Sequence, residues 1–243
     1  MRTVVEQCAY AALQSAGLLR DREVPLNTWS SSRLLVKEPP LDETRGGLLA
    51  RSRVDLVRAT RSGRTRRVRA SCVITSATTR EAVAVGETLA GILERRLYRA
   101  WRGPSVTRAG DVQHPLPPEP GVLHAVRARP ENQVVAGLSR RPDGRFVALL
   151  RLPAPHRYLL PPSSDHVTGR VFAEATRQVV LAASSPGATV RSMDLAFRHL
   201  CTLEGPVRIE AGAVDRQADT AAWCVTFRKA GTTVCAATAE TLG

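Results

Sequence analysis

Aromatic residues are scarce in this chain of 243 residues, at 4% of the total. Ala and Val must therefore do much of the core-filling, and a surface that stacks on nucleic-acid bases is poorly supplied. Lysine is almost missing. Lys37 and Lys229 are the two present, so arginine carries nearly all of the positive charge. Acidic residues are too few to balance it, 22 Asp+Glu against 35 Lys+Arg, and the formal net charge is +13. Such an excess suits an anionic partner, whether a phosphate, an acidic protein or a nucleic acid. No apolar run approaches the length of a membrane helix, so no membrane partner is expected. The fairly apolar run Cys8–Leu19 is preceded by Glu6 and Gln7 and interrupted by Gln14 and Ser15. It reads as an amphipathic helix rather than the unbroken centre of a signal peptide.

The five cysteines (Cys8, Cys72, Cys201, Cys224 and Cys235) are odd in number and form no C-x-x-C pair. That argues against a disulfide framework and against zinc, and a cytoplasmic setting is expected. Cys72, Cys224 and Cys235 lie in alternating apolar segments, where a free Cys is a small core residue. No P-loop, Rossmann glycine pattern, G-x-S-x-G elbow or metal-ligand cluster occurs, so no cofactor is expected.

What is present is an ordinary globular balance, 43% apolar and 23% charged, over a length that suits one large domain or two small ones. The stretch Gly103–Gly121 holds Pro104, Pro115, Pro117, Pro118 and Pro120 and no aromatic, and reads as a linker. The organisation predicted is residues 1–102 as a first unit, 103–121 as linker and 122–243 as a second unit. In the second unit, Gln133–Gly137 and Arg145–Leu152 flank Arg140-Arg141-Pro-Asp-Gly144 as a hairpin. A helix is predicted over Thr168–Ser184, with Val171, Ala175, Val179 and Ala182 at helical spacing. Strands are predicted at Ser192–Leu200, Val207–Val214, Ala222–Arg228 and Thr232–Thr241. The first unit opens directly on a predicted helix, Thr3–Ala16. Strands follow at Asn27–Lys37, Gly47–Thr60, Arg64–Thr75 and Ala82–Leu89, and then a connector helix bearing Arg95, Arg96 and Arg99.

The order helix-then-meander thus occurs twice, the pattern of a long helix wrapped by an antiparallel sheet. Residues repeat as well. Cys72-Val-Ile-Thr75 resembles Cys224-Val-Thr-Phe227, and Ala84-Val-Gly-Glu87-Thr-Leu89 resembles Ala237-Thr-Ala-Glu240-Thr-Leu242. The separations are 15 residues from Cys72 to Glu87 and 16 from Cys224 to Glu240. Chance similarity between alternating strands is the alternative. The first unit has nothing before Thr3 to match the second unit's hairpin. Either that hairpin has been lost or the true start lies upstream of Met1.

The segment richest in chemistry runs from Leu152 to Gln178. Asp165 and His166 stand just before the predicted helix, where an Asp could cap free N–H groups and an anion is favoured. Glu174 and Arg177 are three apart and share a helical face. A carboxylate and a guanidinium placed there could act on an acyl substrate and hold a phosphate. On spacing alone, a solvated i,i+3 ion pair with a surface histidine is the leading reading.

This segment resembles the hotdog domains of the AfsA family, the γ-butyrolactone biosynthesis proteins of antibiotic-producing actinobacteria. That family's second domain carries a run like H-P-F-x-F-D-H-P-x-D-H-V-P-G-M-x-x-x-E-A-x-R-Q. His156, Asp165-His166-Val167, Gly169, Glu174-Ala175 and Arg177-Gln178 match it at the same spacing. Arg129-Pro-Glu-Asn132-Gln-Val-Val135 is similar to the family's R-x-P-x-N-V-V-L strand. The resemblance implies an α+β tandem (double) hotdog, with the first unit short of its N-terminal hairpin. It implies transfer of a β-ketoacyl chain from acyl carrier protein to dihydroxyacetone phosphate, the committing step toward a γ-butyrolactone signal. Residue by residue, it implies Glu174 as acid/base or orienting carboxylate, Arg177 on phosphate or a developing oxyanion, and His166 at the mouth of the site. Asp165, Gly169, His156 and Glu6 become substrate-binding candidates. The partners implied are an acyl carrier protein or acyl-CoA thioester and a phosphorylated three-carbon acceptor, with a homodimer left open.

The departures weigh against a full site. The family's first Asp-His pair is replaced by Pro161-Pro162, and Thr168 stands for the Pro of V-P-G. In the fatty-acid dehydratases, which share the fold, the catalytic His lies nine residues before the helix-start Gly; here that place is Leu160. The first unit keeps only Glu6 of the E-x-x-R-Q motif, with Ala9 where Arg would stand. Another hotdog reaction on acyl-CoA or carrier thioesters, such as hydrolysis, is therefore the alternative, as is a degenerate hotdog that binds or scaffolds without catalysis. The basic run Arg61–Arg69 alternates with Val68, Ala70, Cys72 and Ile74, as in a strand with Arg on its wet face. A solvated face is the leading reading of that run, a docking surface for acidic carrier protein the second. Nucleic acid is not the expected partner.

Overall fold

The computed structural model describes residues 23–34, 48–59, 65–103, 107–112, 132–152, 158–217 and 219–243. The predicted helix Thr3–Ala16, and with it Glu6, lies outside the described residues, as does His156. The chain divides into two compact units, Met1–Val106 and Thr107–Gly243.

The described part of the first unit is four strands and a helix: β1 (Glu23–Leu34), β2 (Leu48–Ala59), β3 (Thr65–Ser76), β4 (Ala82–Glu94) and α1 (Arg95–Arg102). Within this unit the strands run β2-β3-β4-β1, every neighbour antiparallel. The alternation read from the basic run is what the sheet uses. Val68, Ala70, Cys72 and Ile74 are buried, while Arg67 and Arg69 are exposed. Arg69 Nε meets Glu87 Oε1 at 2.7 Å on the adjacent strand. Strand β4 outruns its predicted end at Leu89, because Ala90 and Ile92 continue the buried face. Helix α1 buries Tyr98 and exposes Arg95, Arg96 and Arg99.

The second unit contains β5 (Val135–Arg140), β6 (Phe146–Leu150), α2 (Gly169–Ala183), β7 (Thr189–Phe197), β8 (Val207–Arg216), β9 (Thr220–Lys229) and β10 (Thr232–Leu242). Its strands run β7-β10-β9-β8-β6-β5, again all antiparallel. The predicted hairpin turn forms over residues 141–145. Arg141 N–H donates to Arg145 O (2.7 Å) and Gly144 N–H to Arg141 O (3.0 Å). Gly144 adopts φ 80°, which a side chain would strain.

Helix α2 is the centre of this unit. The predicted spacing is used, since Val171, Ala175 and Val179 are fully buried. Burial does not stop at one stripe, however: Phe172, Ala173, Glu174, Thr176, Gln178 and Val180 are buried too. A helix buried nearly all round is a core helix rather than an amphipathic surface one. Phe172 packs edge-on against Phe227 of β9 at 5.0 Å between ring centres and against Phe197 of β7 at 6.1 Å. Its far end is tied down through Ser184, whose hydroxyl donates to Val180 O (2.7 Å) and reaches Thr241 Oγ1 (3.4 Å).

Two loops fix the near end. Val167 N–H donates to Cys201 O (2.8 Å), and Ala109 and Gly110 N–H donate to Ser164 O (2.8 Å) and Pro162 O (3.1 Å). One expectation fails here. Cys224 is exposed, because the buried face of β9 is Trp223, Val225 and Phe227. Alternation puts the intervening residue outside.

Candidate active site

The start of α2 is set by Thr168, in extended conformation at φ −71° and ψ 154°. No side chain caps the helix there. The Thr168 hydroxyl instead donates to Leu159 O, and Asp165, expected as a cap, turns to its neighbour. His166 Nδ1 lies 2.7 Å from Asp165 Oδ1. A carboxylate can only accept, so the proton sits on Nδ1 and Nε2 is the basic nitrogen of the neutral ring. Gly169 is the first helical residue, and Val167 and Thr168 separate it from the pair.

One and a half turns further on stands the second pair. Arg177 Nε donates to Glu174 Oε2 at 3.0 Å, and Nη2 to Oε1 at 2.9 Å. This is the two-pronged geometry that a planar guanidinium makes with a carboxylate. The Glu174 side chain is 9% exposed and that of Arg177 26%, so the guanidinium is the open side of the pair. The solvated ion pair that the spacing also allowed is thus ruled out by burial.

Gln178, one turn after Glu174, joins the pair to the sheet. Its Nε2 donates to Glu174 Oε1 (2.8 Å) and to Asn132 O (2.7 Å). Its Oε1 accepts from Val134 N–H (3.0 Å). The side-chain amide thereby pairs with the backbone on either side of Gln133, just before β5. On the opposite edge, Arg151 Nη1 donates to Gln133 O at 2.6 Å, and burial holds the Arg151 guanidinium below its ordinary value. The Gln133 side chain is itself buried, and among the described residues neither its Nε2 nor its Oε1 has a hydrogen-bond partner.

The structure therefore joins Glu174 to Arg177 and Asp165 to His166, and places Gly169 between the two pairs along the chain. Sequence reasoning missed Gln178 as a member of the network, although its four-residue spacing from Glu174 was a signal. It had no signal for Gln133 or Arg151, which sit in apolar strand-like runs.

Burying a charged pair inside a core helix does little for stability. Removing two charges from water can cost more than their attraction returns, and apolar replacements often do as well. The buried Cys201 thiol, whose own carbonyl holds Val167 N–H, is pushed up to about 11 by burial, against the opposing pull of the Lys229 ammonium. It is no nucleophile at neutral pH. Among the described residues no three His, Cys, Asp or Glu side chains gather as metal ligands. No described helix is long and apolar enough to cross a membrane.

A core helix laid along an antiparallel sheet, with charged groups on its first turns, defines a hotdog-fold protein. Solved structures of the same architecture include a putative oleoyl thioesterase from Lactobacillus plantarum, at 11% identity over 100% of this chain and 88% of that one, TM-score 0.58. They also include the 12:0-ACP thioesterase of Umbellularia californica, at 13% identity over 97% and 86%, TM-score 0.53. A MaoC-like dehydratase aligns at 13% identity over 99% and 82%, TM-score 0.55. At such identities the likeness is one of fold. The sequence narrows it: the AfsA model, the A-factor biosynthesis hotdog domain, matches residues 119–242, and the chain belongs to that family. No curated protein matches the sequence.

Proposed function

We propose that the protein is an acyltransferase of the AfsA type, which moves a β-ketoacyl chain from acyl carrier protein to the hydroxyl of dihydroxyacetone phosphate. The observation that carries this reading is the buried Glu174 carboxylate, gripped by Arg177 and Gln178 on the family's own motif. Membership of the family and the hotdog fold support an acyl thioester as substrate.

The chemistry then divides among the residues. The uncapped start of α2 at Gly169 suits the phosphate of the acceptor, since N–H groups there are aimed along the helix axis. His166 Nε2 takes the proton of the attacking hydroxyl, and Asp165 holds the ring in the right tautomer and steadies the charge it gains. Attack on the thioester carbonyl builds negative charge on oxygen, which Arg177 stabilises. Collapse breaks the carbon–sulfur bond, and His166 returns its proton to the leaving thiolate. Glu174 keeps the guanidinium in place and is a positioning residue. Leu160, fully buried, occupies the position of the dehydratase histidine, so the water-eliminating route has no base there.

The first unit fits the same reading as a second hotdog. Residues 1–102 and 122–243 are then two copies joined by a proline-rich linker. The likeness of Glu87-Thr88-Leu89 to Glu240-Thr241-Leu242 supports this, because Thr88 and Thr241 are both buried with half-buried neighbours.

The test is incubation of β-oxooctanoyl carrier protein with dihydroxyacetone phosphate, read by mass spectrometry. A condensed ester is expected. It should fall by about 10²–10⁴ in rate for His166→Asn, the usual worth of a general base. Glu174→Gln and Arg177→Ala should also lose rate. Release of free acid in place of ester would replace transfer by thioester hydrolysis. Neither product from folded protein would leave a binding or scaffolding role.

A further inference from the structure

We propose that Gln133 is a substrate-reading residue, whose side-chain amide hydrogen-bonds the ketone oxygen of the acyl chain. The inference rests on the acyl-thioester reading and adds a residue that neither motif nor spacing marked. Its basis is a buried amide with no protein partner. Gln133 is 1% exposed, yet Nε2 and Oε1 both lack a hydrogen bond. Native cores satisfy nearly all buried polar groups, and each exception calls for a reason. A methionine or leucine would fill the same space with no polar atom to desolvate.

Position supplies the reason. Asn132 O and Val134 N–H, on either side of Gln133, are the two groups that Gln178 holds. Gln178 Nε2 also holds Glu174. The Gln133 α-carbon is thus separated from the Glu174 carboxylate by two hydrogen bonds and one peptide unit. The Gln133 carbonyl is fixed from the other edge by Arg151, so the backbone that bears the amide is clamped on both sides. A rigid backbone beside the reacting groups is what a specificity residue needs.

The nearby core is apolar, with Val134, Val135, Leu150 and Leu160 all buried. An acyl chain fits such surroundings, and a plain one would leave the amide as it is. A chain with an oxygen at the β-carbon would accept from Nε2 and remove the donor's share of the penalty. A site built around one polar partner rejects the analogue that lacks it, because its own buried group is then left unpaired. The amide is therefore held at a cost in the free protein and repaid on binding. That is a stability-for-function exchange.

The experiment uses the full chain and two probes, β-oxooctanoyl-coenzyme A and octanoyl-coenzyme A, with Kd measured by calorimetry and Tm by thermal melting without ligand. Wild type is expected to favour the β-oxo probe about tenfold, the worth of one buried hydrogen bond. In Gln133→Met that preference should vanish, and Tm should rise by about 2–4 °C as an unsatisfied polar group is removed. Gln133→Leu serves as a second variant should Met pack badly. A fall in Tm in both variants would show that the amide serves the fold through bound water, and would overturn the proposal. So would an unchanged probe preference with raised Tm, which would leave the acyl-thioester reading standing. Wild type binding neither probe would overturn both together.

Discussion

At the scale of single residues, burial decides what a side chain can do, and sequence hides burial. Cys201 and Cys224 look alike in a list of free thiols, yet one is buried and the other exposed. Gln133 opens a predicted strand, where a polar residue is read as the wet face, yet it is 1% exposed. The long-range bonds of Gln178 to residues 132 and 134 have no local signature either. By contrast, Glu174 and Arg177 were legible, since their contact needs only helical spacing. Cys201 carries a consequence for pH. Its thiol is raised from 9.0 to about 11 by burial. The unfolded chain releases that proton first as pH rises, so the folded state loses stability between these values and is unaffected below the lower one. Across that window the loss reaches about 2–3 kcal/mol. Denaturation of wild type and Cys201→Ala at neutral pH and near the upper value checks it. The wild-type advantage should shrink at high pH, and an advantage that stays constant would mean the thiol ionises freely when folded.

At the scale of elements, nearly every described strand and helix was legible to within a few residues, because each carries its own periodicity. Phase was harder. The repeat that paired Cys72 with Cys224 sets a buried residue against an exposed one. A slip of one residue turns a strand over, and the separations of 15 and 16 residues to the matching glutamates already differed by one. The structural counterpart follows from register. Gly86 pairs with Cys72 on β3, and Ala239, at the matching place of the sequence alignment in the second unit, pairs with Trp223 on β9. The β4 and β10 segments themselves agree in phase, and this makes a contrast testable. Thr241 Oγ1 accepts from Trp223 Nε1 at 3.2 Å, whereas Thr88 Oγ1 is buried without a partner. Thr241→Val should cost about 1–3 kcal/mol, since it strands a buried donor, and Thr88→Val should cost nothing or stabilise. Urea unfolding of both variants reads this directly. Equal losses would mean that the two threonines play the same structural part.

At the scale of the whole molecule, the charge bears on the partner proposed for the chain. The formal charge of +13 is spread on wet faces, as at Arg67 and Arg69 of β3 and Arg95, Arg96 and Arg99 of α1. Few aromatics accompany it, so bases have little to stack on, while an acidic carrier protein meets a broad field of the opposite sign. Fields of this kind act on the approach of a partner and fade beyond the Debye length. That length shrinks from about 30 Å at 0.01 M salt to about 3 Å at 1 M. The association rate with acyl carrier protein should therefore fall by about tenfold or more between those salt concentrations. The dissociation rate, set by close contacts at the bound surface, should change far less. Stopped-flow measurement of both rates across the salt series separates them. An association rate indifferent to salt would strip the arginines of any steering role and leave them as the solvated side of a sheet.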